Sequence, residues 1–272
     1  MKTYFLLFIS FTILLTTSCK NDNAVDSQME VKNNDLVFVQ GGSFMMGDSS
    51  LLAHLETPVH KVNLNDFYIS KYEITQKEWN EIMDFNPSAW LGDNLPVSGL
   101  VWMDAIRYCN ERSKKENLSL CYTIIGDNDV TLDLNSNGYR LPTEAEWEYT
   151  AKGGQQIQGL KYSGSDNLDE VGWVSSNSDK MTHNVGNKKP NELGIYDMSG
   201  NVYEWCWDKF AQYDSVEKTN PIGSLEESQS FRIIRGGSFQ YLSDQALVSF
   251  RSINIFNDDY YNCGIRVVRS FK

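Results

Sequence analysis

The chain has 272 residues and a formal net charge of −12, and hydrophobic types make up 41% of it. Its Lys and Arg residues are dispersed among acidic residues rather than gathered into one basic face. Proteins bind nucleic acids chiefly by neutralising phosphates with clustered Lys and Arg, so nucleic acid is not expected as a partner. Acidity this diffuse favours solubility and points to no particular substrate.

The N-terminus has the pattern of a secretory signal peptide. Lys2 precedes an unbroken apolar and hydroxyl stretch from Tyr4 to Thr17, which is too short for a permanent membrane-spanning helix. The stretch ends in LTTSC, which resembles a bacterial lipobox with Cys19 as the acylated residue. We therefore predict that residues 1–18 are a signal peptide and that Cys19 anchors the mature protein in the bacterial cell envelope, on the extracytoplasmic side. The alternative is an ordinary cleaved signal that ends near an unrelated cysteine.

The segment that follows Cys19 differs in composition from the rest of the chain. Residues 19–34 are polar and almost free of large apolar side chains, so they cannot bury enough surface to fold alone. We predict that they form a lipidated tether. Residues 35–272 contain no further stretch apolar and long enough to cross a membrane, and we expect them to form one domain.

The start of this domain has strand and helix patterns in turn. Leu36 to Val39 is an apolar run that ends at a glycine pair, and residues 59–70 alternate apolar and polar side chains as a half-buried strand does. Thr75 and Glu78 form a capping-box pattern, which predicts a short helix after Thr75.

Two further helices and a hairpin follow. Helical spacing of apolar residues predicts a helix over 102–115, and two β-rich arms joined by polar turn residues predict a hairpin over 121–134. A third helix is predicted to begin at a second capping box, Thr143 and Glu146, and to end at Gly153. Short helices among short strands and long loops indicate an α+β domain.

Apart from Cys19 there are four cysteines: Cys109, Cys121, Cys206 and Cys263. An exported protein permits disulfides, and four cysteines allow three full pairings. No CxxC spacing occurs, so a zinc site is not indicated. Buried thiols without any bridge are the alternative.

Six motifs occur in the order in which they occur in the formylglycine-generating enzyme, or sulfatase-modifying factor, family. They are GGSFMMGD from Gly41, NDFYISKYEITQKEW from Asn65, GYRLPTEAEWEYTAKGG from Gly138, NELGIYDMSGNVYEW from Asn191, RIIRGGSF from Arg232 and CGIRVV from Cys263. The chain resembles that family over residues 36 to 268. The resemblance implies a compact, irregular variant of the C-type lectin fold with little regular secondary structure. Within RLPTEAEWEY, we expect Arg140 to pair with Glu146 or Glu148.

The resemblance also implies a structural calcium ion at the DMSGNVYE segment. The family's ligand positions fall on Asp197 and Glu204 through their carboxylates, and on Gly200 and Val202 through their carbonyls. Oxygen ligands of this kind suit calcium. The alternative is an aromatic-packed turn in which Glu204 pairs with a nearby arginine.

A second calcium site of the family would use an Asn, a neighbouring carbonyl and a later Asp. Asn177 and Ser178 match the first part, but the Asp position falls on Gly186 or Asn187. The resemblance therefore leaves this second site without its carboxylate.

In the oxidase members of the family, two cysteines after the GGS segment bind copper(I), a soft cation suited to thiolates. Ser238 matches the serine that lies beside the substrate there. The first metal cysteine falls on Tyr241, and residues 242–247 contain no cysteine for the second. We therefore expect neither copper binding nor formylglycine formation.

Another branch of the family binds iron through three histidines, mainly from an additional helical domain. This chain has no such domain, and its only histidines are scattered, at His54, His60 and His183. An iron oxygenase is therefore not indicated.

The sequence thus predicts a lipid-anchored extracytoplasmic member without oxidase activity. Its former substrate groove, lined by Ser238, Phe239, Gln240 and Tyr241, would bind a peptide, a glycan or an envelope protein. Lipoproteins of the family that act as scaffolds in secretion and gliding machinery offer a fold-level analogy. The alternative is the family's oxidase activity, or another oxidoreductase chemistry in the same groove.

Overall fold

The computed structural model describes residues 36–50, 54–126, 129–223, 231–255 and 261–272, together with Met1. Residues 35 to 272 form one compact unit. The predicted signal peptide, the tether and Cys19 lie outside the described residues. Within the described ranges, no helix is both long enough and apolar enough to cross a membrane.

Short elements make up this unit. The strands are β1 (Leu36–Val39), β2 (Gly42–Met46), β3 (His60–Leu64), β4 (Phe67–Ser70), β5 (Tyr122–Ile125), β6 (Asp129–Leu132), β7 (Tyr203–Lys209), β8 (Lys218–Thr219), β9 (Phe231–Arg235), β10 (Ser252–Ile255), β11 (Cys263–Gly264) and β12 (Val268–Ser270). The α-helices are α1 (Gln76–Asn80), α2 (Trp102–Lys115), α3 (Glu144–Ala151) and α4 (Leu168–Val171). Within the described ranges, 3-10 helices span His54–Glu56, Gly154–Gln156 and Ser243–Ala246.

The strands form several small sheets instead of one large sheet. Their orders are β1-β4-β12, β10-β9-β7-β11 and β2-β3-β8, and β5 and β6 form the predicted hairpin. Most neighbours are antiparallel, but β11 pairs parallel with β7, and β8 pairs parallel with β3. Small sheets, short helices and long loops make this an α+β fold, as predicted.

The alternating segment 59–70 forms two strands in two different sheets. β3 pairs with β2, whereas β4 pairs with β1. At the corner between them, the N–H of Asn65 donates to Oδ1 of Asn220 (2.8 Å), and Oδ1 of Asp66 accepts from the N–H of Gly41 (2.8 Å). Alternation predicted the extended backbone correctly. It did not reveal the corner, because the contacts that form it come from distant residues.

Both predicted capping boxes are present. The hydroxyl of Thr75 accepts from the N–H of Glu78 (3.2 Å), whose carboxylate accepts in return from the N–H of Thr75 (3.0 Å). Thr143 and Glu146 form the same reciprocal pair, at 3.2 and 2.9 Å. Helix α2 has the predicted bounds. Local sequence therefore determines where these helices begin.

Helix α3 is buried along its whole length. Its Trp147 and Ala145 belong to a hydrophobic cluster with Phe67 and Ile233, and a second cluster surrounds α2, where the rings of Trp79 and Tyr108 stack with centroids 4.9 Å apart. A helix with no solvent-facing side has no amphipathic pattern. Its three glutamates must therefore find partners inside the protein.

Each glutamate of α3 meets an arginine from another segment. Nitrogen–oxygen distances are 2.6, 2.6 and 2.5 Å for the pairs Glu144–Arg251, Glu146–Arg140 and Glu148–Arg235. Pairing of this kind is what makes buried charges tolerable. The predicted partner of Arg140 is confirmed as Glu146. Glu148 binds Arg235 and Lys152 instead.

The four described cysteines form no disulfide with one another, and all of their thiols are buried. Burial raises the pKa of the Cys109, Cys121 and Cys206 thiols above the ordinary value. Of the two interpretations left open by the sequence, the structure supports buried thiols. A neutral, enclosed thiol is a poor nucleophile and a poor metal ligand.

We predict that Glu148→Gln lowers the free energy of unfolding by about 3 kcal/mol, because it leaves the buried guanidinium of Arg235 without its closest counter-charge. Urea denaturation measures the loss. Glu217→Gln is the control, since Glu217 pairs with Lys61 on the surface, where solvent screens the pair, and its effect on stability should be far smaller. Equal effects of the two substitutions would contradict the assignment.

Candidate cation site and ligand-binding surface

The loop from Asp197 to Glu204 turns sharply before it enters β7. Asp197, Gly200 and Asn201 all have positive φ angles, of 58°, 98° and 64°. At Gly200 a Cβ atom would collide with the carbonyl oxygen of Trp173, so the position requires glycine. The carboxylates of Asp197 and Glu204 therefore lie on either side of a tight turn, with the backbone carbonyls of the turn between them.

Glu204 is fully buried and accepts hydrogen bonds from two side chains. Arg266 donates from Nε to Oε2 and from Nη2 to Oε1, both at 2.7 Å, and the indole N–H of Trp147 donates to Oε2 at 2.6 Å. Arg266 also donates to the carbonyls of Ser70 (2.9 Å) and Tyr196 (3.0 Å). The arginine pairing considered as the alternative is therefore present.

A second buried carboxylate, Glu73, lies beside this pair. It accepts from the N–H of Val202 (3.0 Å) and from the side-chain amide of Asn201 (2.6 Å). Burial, reinforced by repulsion from Asp197 and Glu204, raises the pKa of Glu73 well above its ordinary value. The motif reasoning missed Glu73, although it lies within the KYEIT part of a recognised motif.

Asp197 is the third buried carboxylate. Its Oδ2 accepts from the N–H of Gly186 (2.7 Å), whereas its Oδ1 is buried without a hydrogen-bond partner. Burial is the main cause that raises the pKa of Asp197 to about 6, and repulsion from Glu204 adds to it. The guanidinium of Arg266 alone cannot neutralise three carboxylates. If all three carboxyls were ionised, the cluster would carry excess negative charge.

These features fit a bound calcium ion. A cation would satisfy the orphaned Oδ1 and offset the excess charge. Its ligands would be carboxylate oxygens of Asp197 and Glu204 and the carbonyls of Gly200 and Val202. Glu204 could bind Arg266 and the ion together through Oε1, which accepts one hydrogen bond and keeps a lone pair, whereas Oε2 already accepts two. Among the described residues, no group of three or more His, Cys, Asp or Glu side chains is arranged to hold a metal, so backbone carbonyls would be essential.

At the second calcium site that the resemblance implies, the expected Asp position, Gly186 or Asn187, has no carboxylate, although Asp169 accepts from the side-chain amide of Asn177 (2.8 Å). The side chain of Asn177 is engaged locally: it accepts from the N–H of Val174 (2.8 Å) and donates to the carbonyl of Gly172 (3.0 Å). Gly186 has φ of 73°, and a Cβ there would lie 2.6 Å from the ring of Tyr72. A side chain at Gly186 would not fit, so this position cannot supply the missing ligand.

The four residues predicted to line the groove differ in exposure. Ser238 and Phe239 are buried, Tyr241 is half-buried and Gln240 is exposed. The hydroxyl of Ser238 accepts from the side-chain amide of Asn262 (3.0 Å). Ser238 and Phe239 are thus enclosed in this structure, and a ligand-binding groove lined by all four residues stays a prediction. Gln240 and Tyr241 do reach the surface.

Phe239 lies beneath a surface rich in aromatic rings. Trp90 meets it edge-on with centroids 5.1 Å apart, and Tyr261 lies 6.2 Å away on another segment. Tyr261 and Leu242 are exposed. We define the aromatic surface as Trp90, Gln240, Tyr241, Leu242 and Tyr261. Sequence reasoning missed Trp90 and Tyr261, since each is distant in the chain and belongs to no motif that was singled out.

Tyr241 is the residue on which the resemblance places the first metal cysteine. Its ring packs edge-on against Tyr203 with centroids 5.5 Å apart, its N–H donates to the carbonyl of Ser238 (3.0 Å), and its carbonyl accepts from the N–H of Ser175 (2.9 Å). Cys263 is the register partner of Tyr203, but its thiol is buried in the cluster around α2. The residues after Tyr241 line a separate cleft of about 740 Å³, to which Ser243, Asp244 and Leu247 contribute.

The histidines have unrelated surroundings. Nδ1 of His60 lies 3.1 Å from the carbonyl of Pro58, while Nε2 of His183 lies 2.8 Å from the carbonyl of Ser178 and its ring stacks on Trp173. The side chain of His54 lies outside the described residues. Where they are described, these rings are engaged in local contacts.

The comparisons with known proteins agree with the motifs. Residues 21–271 match the sulfatase-modifying factor enzyme 1-like domain. A protein from Paenibacillus barcinonensis named as the chaperone protein LppX is 41% identical over 88% of this chain and 90% of its own length. The formylglycine-generating enzyme of Streptomyces coelicolor is 29% identical over 85% of this chain and 87% of its own.

A solved structure, the Treponema denticola variable protein 1, has the same fold. It superposes with a TM-score of 0.80 and 33% identity, covering 87% of this chain and 95% of its own. This is the C-type-lectin-like variant that the resemblance implied. The chain belongs to the sulfatase-modifying factor enzyme 1-like domain family.

Proposed function

We propose that this protein is a lipid-anchored, extracytoplasmic binding module of the bacterial cell envelope that lacks the family's oxidase chemistry. Its ligand is an exported polypeptide, and the aromatic surface is the contact site. Calcium in the Asp197–Glu204 loop stabilises it, and Cys19 attaches it to the membrane. Formylglycine formation is the rival function.

The observation that carries this proposal is the replacement of a metal-binding thiol by Tyr241. A phenol does not replace a thiolate as a ligand for a soft copper(I) ion. The Tyr241 ring packs on Tyr203, and Cys263 lies buried behind it in the hydrophobic cluster. The site that would activate oxygen in an oxidase is therefore a packed aromatic contact.

The chemistry of the same surface favours a polypeptide over a glycan. Leu242 and Tyr261 expose apolar area, and Trp90 is half-buried beside Phe239. Exposed apolar area of this kind marks sites of protein contact. The name of the Paenibacillus relative, a chaperone protein, supports the same choice.

We predict that Leu242→Ser weakens binding of reduced, unfolded lysozyme by about tenfold, because burying a leucine side chain contributes roughly 1.5–3 kcal/mol. Fluorescence anisotropy of labelled, reduced lysozyme measures its affinity for each variant. Ile125→Ser is the matched control, since Ile125 is 58% exposed on β5 and Leu242 is 66% exposed. Equal affinities of Leu242→Ser and Ile125→Ser for reduced lysozyme would show that the aromatic surface is not the contact site.

We also predict that the natural protein leaves the cysteine of a sulfatase-type peptide unchanged after incubation with copper and oxygen. Tyr241→Cys alone should be inactive too, because copper(I) needs a second thiolate from residues 242–247. Peptide mass is the measurement. Aldehyde formation by the natural sequence would establish the oxidase function, and Cys263→Ser would then test whether that thiol takes part.

For the cation, we predict that a chelator lowers the melting temperature of the natural protein. A ligand at a hundred times its Kd stabilises by about 2.7 kcal/mol, and each kcal/mol moves Tm by roughly 2–4 °C in a domain of this size. Asp197→Asn should abolish most of the chelator response. This substitution is preferable to one at Glu204, which also binds Arg266 and Trp147. An undiminished response in Asp197→Asn would place the cation elsewhere.

A further inference from the structure

Three aromatic rings lie together on the outer face of the β1-β4-β12 sheet. Phe38 and Tyr68 are register partners on adjacent strands, and Phe271 follows β12. The ring centroids are 5.6 Å apart for Phe38 and Tyr68, 5.2 Å for Phe38 and Phe271, and 5.8 Å for Tyr68 and Phe271. We call these three residues the aromatic triad.

Two rings of the triad are exposed and the third, Tyr68, is half-buried, although the sheet has a well-packed inner face. Phe38 is 44% exposed and Phe271 is 39% exposed, whereas Val39, Ile69 and Val268 on the same strands are buried in the core. The fold thus already buries one side of the sheet. Three clustered rings on the other side form an apolar patch of the kind that marks an interaction surface.

We propose that the aromatic triad rests on the lipid bilayer and orients the domain on the membrane. The proposal depends on the lipid anchor at Cys19 that forms part of the proposed function. The ligand is the interfacial region of a phospholipid bilayer, and the acyl anchor and the triad act as two contacts with the same membrane.

The point at which the chain enters the domain supports a lipid bilayer as the ligand of the triad. The predicted tether, residues 19–34, leads directly into β1, the strand that carries Phe38. If residues 19–34 act as the tether that the sequence predicts, their root-mean-square span is roughly 20–24 Å. An acyl anchor at Cys19 would therefore hold β1 near the bilayer, at a high effective concentration.

The chemistry of the patch also suits a bilayer interface. Phenylalanine rings can enter the boundary between headgroups and acyl chains, while the hydroxyl of Tyr68 can remain with the headgroups. Arg269 is the register partner of Tyr68, but its Nε donates to the carbonyl of Asn137 (2.8 Å) and its guanidinium lies over the Tyr139 ring, so the three rings themselves carry the contact. The net charge of −12 does not favour an anionic surface, so apolar contact must supply the attraction.

The first experiment measures the triad without the anchor. A chain lacking residues 1–19 keeps the compact unit from 35 to 272 whole and is mixed with phosphatidylcholine vesicles, which carry no net charge. The double substitution Phe38→Ala and Phe271→Ala should lower the partition coefficient at least about fivefold with an unchanged melting temperature. Phe231→Ala is the matched control, because Phe231 is 40% exposed on β9, and it should have no effect.

The second experiment uses the acylated chain in the same vesicles. A fluorophore is attached at Lys272→Cys, next to Phe271, or at Lys61→Cys on β3, since the four described native cysteines are buried. Quenching by brominated lipid should be strong at position 272 and weak at position 61.

The outcomes separate the two proposals. If the full-length protein is never acylated and is released from vesicles, the anchor at Cys19 is refuted. The membrane contact of the triad is still tested in that case, because the first experiment uses a chain without the anchor. Equal partitioning of the natural and doubly substituted chains, or equal quenching at the two labelled positions, overturns the membrane contact. The membrane contact would also be overturned if the doubly substituted chain lost its binding of reduced lysozyme but kept its partition coefficient, because the triad would then be a protein-binding surface.

Discussion

The guanidinium of Arg266 holds together segments that are far apart in the sequence. It binds the Glu204 carboxylate of β7 at two points, the carbonyl of Ser70 at the end of β4 and the carbonyl of Tyr196 in the loop before the cation site. Through Glu204 it is linked to Trp147 of α3. Burying such a pair costs several kcal/mol of desolvation per ion, so its geometry tolerates little displacement.

Backbone hydrogen bonds connect the two candidate sites. The N–H of Gly200 donates to the carbonyl of Gly236 (2.7 Å), and the N–H of Phe239 donates to the carbonyl of Asn201 (2.8 Å). The loop that carries the candidate calcium ligands is therefore bonded directly to the segment beneath the aromatic surface. A cation that neutralises Glu73 and Asp197 would stiffen both.

Features encoded by neighbouring residues were predicted from the sequence. The capping boxes at Thr75 and Thr143 and the bounds of α2 were correct, because caps and helical spacing depend on residues a few positions apart. The α+β class followed from the same local signals. The family resemblance supplied the lectin-like variant, which local patterns could not have specified.

Features that depend on distant contacts were missed or misplaced. The corner at Asn65 and Asp66 needs Asn220 and Gly41, and Trp90 joins the aromatic surface only through a long loop. The burial of Ser238 and Phe239 follows from packing by Asn262, Trp90 and Tyr261. Glu73 was overlooked because a carboxylate in a helix-entry motif has no local sign that it will be buried beside two others.

Metal content per chain tests the central claim most directly. The purified mature protein, measured by inductively coupled plasma mass spectrometry after dialysis against buffer containing both calcium and copper(I), should retain about one equivalent of calcium and no tightly bound copper. Stoichiometric copper would contradict the account, since it would require a thiolate pair that the Tyr241 segment does not provide. Absence of calcium would leave the buried carboxylates unexplained and would contradict the cation site.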